Sequence, residues 1–328
     1  MDKKSLRILF MGTPEFAVES LKALVENGYN VVGVVTMPDK PAGRGYKLQP
    51  SPVKQYALQQ GLPVLQPEKL KDESFLKELK QLNAGLQIVV AFRMLPEVVW
   101  SMPPKGTFNL HSSLLPQYRG AAPINRAIIN GEKETGVTTF FLSHEIDTGK
   151  IIFREKTTIE DSDNAGTLHD RLMGMGAQLV LKTVDAILEE NVVPVPQEEL
   201  INNISELKTA PKIFKEDCQI DWNKPAKEIY NFIRGLSPYP GAWTTLKPGD
   251  NQENSRFKIF TSELIENRKP HFLPGRIVTD NKTYIDVVVK DGLLRVTELQ
   301  LTGKKRMRAI DFLNGYKFEK NTGFHYHL

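Results

Sequence analysis

A single cysteine, Cys218, stands among 328 residues. No disulfide can close within the chain, and no cysteine cluster can hold a metal. Long apolar runs are missing too, since none reaches the roughly 20 residues needed to cross a bilayer. The opening MDKKSLRILFMG sets lysines before an apolar run, as a signal peptide does. That run is short and lacks a small-residue cleavage site. These absences point to a cytoplasmic protein with no membrane attachment and no metal. Internal repeats and low-complexity tracts are absent as well. So is the fingerprint G-x-G-x-x-G, because Gly12 is followed by Thr-Pro-Glu-Phe, which argues against a nicotinamide dehydrogenase.

What is present is an ordinary globular mixture, 40% hydrophobic and 25% charged, long enough for two domains. The net charge of +4 is unevenly spread. Residues 1–205 hold 22 basic against 24 acidic side chains, and residues 206–328 hold 21 against 15. A basic C-terminal third is the footprint a polyanion would require of one module, although solubility alone can favour such an excess.

The first half alternates short apolar runs with amphipathic stretches. Leu6 to Met11, Val31 to Thr36 and Leu86 to Phe92 read as buried strands. Thr13-Pro14 and Ser51-Pro52 each pair a capping residue with a proline suited to the first helical position. Phe16, Ala17, Leu21, Leu24 and Val25 keep helical spacing until Gly28 stops the helix. The alternation predicts an α/β fold with a doubly wound, Rossmann-like, mostly parallel sheet. A helical pattern from Thr167 to Leu188 closes this catalytic domain, placed at 1–189, and residues 190–209 read as a linker. From 210 to 328 short strands separated by turn residues predict a small OB-like β-barrel. The segment 37–52, rich in proline and glycine, predicts an exposed mobile loop carrying Lys40, Arg44 and Lys47.

The segment GTFNLHSSLLPQYRGAAP, residues 106–123, concentrates the chemistry. Asn109 and His111 stand two apart at the end of a strand and therefore share a face. Open α/β sheets place their sites beyond the carboxyl ends of strands. An amide beside an imidazole can stabilise an oxyanion and manage a proton in acyl transfer. The same two residues can also simply satisfy backbone groups of a loop. Asp147, in the turn HEIDTGK, can orient a histidine or a water, or merely form the turn.

Taken together, N-x-H-x-S-L-L-P-x-x-R-G followed by an Asp-Thr-Gly turn resembles the core signature of the folate-dependent formyltransferases. The resemblance is strongest to the branch acting on an aminoacyl-tRNA, and it runs nearly end to end. FMGTPEFA (10–17), PDKPAGRG (38–45), SPVK (51–54), ETGVTTF (134–140) and KEDCQIDWNKPAKEIYNFIRGLSPYPGAW (215–243) carry it. It implies 10-formyltetrahydrofolate as donor and the α-amine of methionine on initiator tRNA as acceptor, with no protein partner. It implies that Asn109 and His111 polarise the formyl oxygen, that Asp147 positions the histidine and a water, and that Ser113, Leu114, Leu115 and Pro116 line the folate pocket. The loop around Arg44 and the barrel would meet the tRNA, through Lys40, Arg44, Lys47, Lys212, Lys304, Lys305, Arg306 and Arg308.

Two departures stand out. Arg93-Met94 follow Ala91-Phe92 where the family usually has a glycine, and Ser143-His144-Glu145 replace an acidic-x-Gly segment. A formyltransferase acting on an amino sugar or glycinamide ribonucleotide, or a formyltetrahydrofolate hydrolase, would share the three polar residues. Neither class accounts for the basic loop and barrel. A non-catalytic RNA-binding module would not need the Asn-His-Asp pattern.

Overall fold

The computed structural model describes residues 2–42, 47–201, 203–247, 255–265, 272–319 and 322–325. The chain divides into two compact units. The first comprises 1–120, 134–158 and 169–210, and the second 121–133, 159–168 and 211–328. Residues 121–133 and 159–168 thus pack within the second unit, although their place in the chain lies inside 1–189.

The first unit begins with β1 (Arg7–Gly12), α1 (Glu15–Glu26) and β2 (Asn30–Val35), as the apolar runs require. α1 starts at Glu15 behind Pro14 and has no side-chain cap; the Thr13 hydroxyl is buried without a partner. Ser51 does cap, accepting from the Lys54 backbone N–H at 3.1 Å. Between them the segment expected as a mobile loop forms a hairpin, β3 (Lys40–Ala42) antiparallel to β4 (Lys47–Gln49). Its base is tied down by Asp39, which accepts from Lys54 at 2.7 Å and from Gln66 at 2.8 Å.

The chain continues through α2 (Pro52–Gln59), β5 (Val64–Leu65), α3 (Glu73–Gln81), β6 (Leu86–Val90), α4 (Glu97–Trp100), β7 (Thr107–His111) and β8 (Arg119–Gly120). α5 (Pro123–Ile129) belongs to the second unit. Then come β9 (Glu134–Phe141), β10 (Ile151–Thr158) and α6 (Ala165–Leu188). The main sheet runs β10-β9-β7-β6-β1-β2-β5. Its five strands from β5 to β7 are parallel, and β9 and β10 add antiparallel pairs at one edge. β1 and β6 are buried almost throughout, the continuous apolar reading of a parallel sheet covered on both faces. Leu9, Met11, Val35, Phe75, Leu79, Val89 and Val99 form one core cluster of this unit. Strand order reverses around β1, which opens the ligand crevice at the carboxyl ends of β1, β6 and β7.

Residues 190–209 are more than a connection. They hold two short 3₁₀ turns and lead into β11 (Thr209–Ala210), which pairs in parallel with β8. Tyr118 N–H donates to the Lys208 carbonyl at 2.6 Å, and Lys208 N–H donates to the Gln117 side chain at 2.8 Å.

The second unit carries α7 (Ala226–Leu236), β12 (Ala242–Lys247), β13 (Ser255–Ile265), β14 (Ile277–Thr279), β15 (Ile285–Val289), β16 (Gly292–Leu301), β17 (Met307–Arg308), α8 (Ala309–Gly315) and β18 (Gly323–His325). Antiparallel order β14-β15-β16-β13-β12-β18 wraps a core built on Trp222, Phe257, Ile285, Leu294, Phe312 and Phe324. The edges nearly meet, because Phe324 N–H donates to the Gly275 carbonyl at 2.8 Å and Ile277 N–H to the Thr322 carbonyl at 3.2 Å. This is the small barrel that the spaced short strands predict.

Candidate active site

β7 lies between β6 and β9, so its carboxyl end opens at the crevice. Asn109 and His111 occupy alternate positions there and share a face. Asn109 is half-buried, and its side-chain oxygen is buried with no hydrogen-bond partner among the described residues. Buried polar atoms are rarely left so, and one that is marks a place where function can claim it. The two ends of a carboxamide are nearly isosteric, so either can present at that point.

The His111 Nε2 lies 2.9 Å from the Tyr118 carbonyl oxygen. A carbonyl only accepts, so Nε2 carries the proton and Nδ1 is the edge left for chemistry. That edge faces the Asp147 carboxylate, with Nδ1 3.9 Å from Oδ2; the two side chains are 8% and 12% exposed. The gap is too long for a direct hydrogen bond but short enough for one donor to reach both acceptors. Phe140 meets the imidazole edge-on, with ring centroids 6.5 Å apart.

Asp147 is held by backbone geometry. Its φ of 55° is left-handed, as the Asp-Thr-Gly turn demands, and Oδ2 accepts from the Gly120 N–H at 2.9 Å. Gly120 must be glycine on two counts. Its φ is +126°, and an added Cβ would sit 2.4 Å from the Ala210 carbonyl oxygen across the β8–β11 pair. Gly149 has a similar constraint, since a Cβ there would overlap the Phe141 carbonyl at 1.6 Å.

Two residues that the sequence reading passed over complete the frame. Gln197 is fully buried. Its Nε2 donates to the Asp147 and Gly149 carbonyls, each at 2.8 Å, and its Oε1 accepts from Arg119 Nε at 3.0 Å and Nη2 at 2.7 Å. One carboxamide with every donor and acceptor used thus locks the aspartate turn to β8. Thr138, also fully buried, donates to the Ser113 carbonyl at 2.6 Å and accepts from the Leu115 N–H at 3.1 Å. The proline flanking Gln197 and its weak periodicity hid the first signal. The second is one of three threonines in β9, with nothing local to single it out.

Ser113, Leu115 and Pro116 are buried, and the Ser113 hydroxyl donates to the Gln117 carbonyl at 2.6 Å. Leu115 packs with Phe140 and Ile151. Of the four expected folate-lining residues only Leu114 retains partial exposure, so the other three build the turn that presents it. Where the family usually has a glycine, Arg93 donates to the Glu68 carbonyl at 2.7 Å and to the Pro67 carbonyl, and burial lowers its pKa. Ala91 takes a φ of 46° just before it. His144 is largely exposed, 3.7 Å from Glu97 and edge-on to Trp100, on a loop surface.

The expected RNA-contacting residues divide. Lys40 is exposed at the start of β3. Arg44 and the Lys47 side chain lie outside the described residues. Lys212 is exposed, its ammonium 5.2 Å from the Phe214 ring. In the 304–308 cluster, Arg306 pairs with Glu298 at 2.5 Å and Arg308 with Asp311 at 2.8 and 3.1 Å. Only Lys304 and Lys305 there are without a carboxylate partner among the described residues. Among those residues no group of three or more metal-ligating side chains occurs, and no helix is long and apolar enough to cross a membrane.

Comparison with known proteins agrees over both units. The profile described as Formyl transferase matches residues 6–184, and that described as Formyl transferase, C-terminal domain, matches 212–317. A methionyl-tRNA formyltransferase of Parabacteroides distasonis is 65% identical over 97% of this chain and 98% of its own length. One from Bacteroides thetaiotaomicron is 62% identical over the same shares. Among solved structures, the sugar 3N-formyl transferase WlaRD aligns with a TM-score of 0.64 and 21% identity, covering 92% of this chain and 99% of its own, a likeness of fold.

Proposed function

This chain belongs to the methionyl-tRNA formyltransferase family, and from that premise we propose how it acts. It transfers a formyl group from 10-formyltetrahydrofolate to the α-amine of methionine carried by initiator tRNA, in the cytoplasm where translation begins. Residues 1–189 perform the transfer, 190–209 join and brace it, and 210–328 bind the tRNA. The observation that supports the chemistry is that His111 Nδ1 lies 3.9 Å from Asp147 Oδ2, with Asn109 two positions before His111 on β7.

The residues suit a formyl carbonyl. The Asn109 amide, with one buried end unpartnered, and His111, once Nδ1 carries a proton as well as Nε2, would donate to the oxygen that becomes negative as the amine nitrogen bonds to the formyl carbon. The Tyr118 carbonyl accepts from Nε2 and fixes the ring, and the Asp147 carboxylate faces Nδ1. Asp147 takes the proton that the amine sheds, through a bridging water, and that proton follows the electron pair to the departing folate nitrogen. Leu114, carried on the turn that Thr138 pins, faces the folate. Lys40, Arg44, Lys47, Lys212, Lys304 and Lys305 would meet phosphates.

The test is transfer of labelled formyl from 10-formyltetrahydrofolate to charged initiator tRNA by the purified protein, run beside hydrolysis of the same folate and transfer to an amino sugar. Transfer to tRNA alone is expected. Release of free formate at a matching rate would favour the hydrolase reading instead.

A further inference from the structure

The second unit contains a cavity of about 440 Å³ lined by none of the residues placed at the formyl group, and by only Lys212 of the expected tRNA contacts. Its walls come from the start of α5, the segment before α7, the turn after α7 and the paired strands β12 and β13. Four cations border it: Lys212, Lys215, Arg256 and Lys258. Among the described residues, none lining it is acidic. Glu216 and Asp217 lie next in the chain but outside it, and Asp217 is occupied by the Phe214 N–H at 2.8 Å.

The remaining wall is aromatic. The Trp243 indole donates to the Lys215 carbonyl at 2.7 Å and is 8% exposed, which fixes its plane. The Arg256 guanidinium lies over that ring, 4.2 Å from its centroid. Lys258 donates to the Pro240 carbonyl at 2.8 Å, which holds its ammonium at the rim with protons to spare. Tyr239 stands 81% exposed on the turn. An unburied aromatic ring, a guanidinium plane backed by an indole, and nearby ammoniums with no carboxylate partner among the described residues form a combination with a specific use. Planar groups offer a base its stacking surface, and the cations offer its phosphate a counter-charge. The volume falls in the range of small-ligand sites.

We propose that this cavity seats one unstacked nucleotide of the tRNA, its base stacked at Arg256 and Tyr239 and its phosphate held by Lys215 and Lys258. The assignment rests on the reading of tRNA as the acceptor. A free nucleotide offers the same chemistry, and the basic excess of the C-terminal third favours the polymer.

Dissociation constants of methionyl-tRNA would be measured by filter binding for the full-length protein and for Arg256→Ala, Arg256→Lys, Tyr239→Ala and Lys215→Ala. Loss of a stacking partner is expected to weaken binding about tenfold for Arg256→Ala and Tyr239→Ala. Arg256→Lys keeps charge without the planar face and should weaken it about threefold. Lys215→Ala should lower the slope of log K against log salt by about 1. Tyr239 and Lys215 are exposed, so their variants test the site even if Arg256→Ala fails to fold. Wild-type affinity in Tyr239→Ala and Lys215→Ala, in a protein whose parent formylates charged tRNA, would overturn the proposal. So would micromolar binding of adenosine monophosphate lost in Tyr239→Ala while tRNA affinity stays unchanged, which reassigns the cavity to a free nucleotide. A parent protein that formylates no charged tRNA would refute the underlying reading rather than the cavity.

Discussion

The end of β7 and the basic turn at 304–308 treat their polar groups in opposite ways. At the first, a half-buried amide has an orphaned atom, and an imidazole edge faces a carboxylate it does not quite reach. At the second, two of four cations are exposed yet already paired with carboxylates of their own unit. The contrast shows where unmet chemistry resides. Desolvated groups that folding leaves unsatisfied cost stability unless a substrate completes them. Surface charges cost little and contribute little, and counting them in sequence overstates what remains for a ligand.

The sharpest way to break this comparison is at the orphaned amide. Asn109→Ala should lower turnover by about 10²–10³ in single-turnover formyl transfer, the usual cost of one oxyanion donor. Near-normal turnover at saturating substrates would erase the distinction between the two regions.

Next comes Gln197. Gln197→Ala leaves the Asp147 and Gly149 carbonyls and Arg119 without partners, and turnover should fall about tenfold. Gln197→Glu keeps an acceptor for Arg119 but has no N–H for the two carbonyls, so it should not rescue the rate. A role confined to folding would lower melting temperature without moving the pH–rate profile; positioning Asp147 should move that profile.

The basic turn sharpens the contrast from the other side. Replacing Lys304 and Lys305 together by alanine should reduce tRNA affinity severalfold and flatten its salt dependence, by about 1 unit of slope per lost phosphate contact. Arg308→Ala should stay within about twofold, because its charge is already spent on Asp311. Equal effects from the two substitutions would show that the pairing does not matter.

The smallest effect is expected at the base of the β3–β4 hairpin. Hydrogen bonds from Lys54 and then Gln66 hold the Asp39 carboxyl below its ordinary value. A folded-state pKa lowered in this way stabilises at pH above the unfolded carboxylate value near 3.8 and is lost as pH falls through the lower, folded value. Amide exchange in the hairpin should therefore rise only in acid, and Asp39→Asn should raise it at neutral pH.

Much of the fold was legible because its signals are local. Ser51-Pro52 marked a real cap, the apolar runs marked β1, β2 and β6, and spaced short strands marked the barrel. Thr13-Pro14 carried the same mark without a capping bond: the helix starts behind Pro14, and the Thr13 hydroxyl oxygen is buried with no partner among the described residues. The loop at 37–52 looked unstructured from its prolines, yet an antiparallel pair holds its flanks. Residues 190–209 looked like a tether because their contacts are long-range. Gln197 bonds to residues 48, 50 and 78 positions away, a distance no window of sequence can see.

From sequence alone came the pairing of Asn109 with His111, because strand alternation fixes which residues share a face, and the turn chemistry that places Asp147. Only the folded chain decided that Asp147 comes within 3.9 Å of His111, that Gln197 holds the aspartate turn, and that Glu298 pairs with Arg306. Each of those depends on strand register or on the burial of a polar group. Register and burial are set by how distant segments pack, not by the residues next to one another.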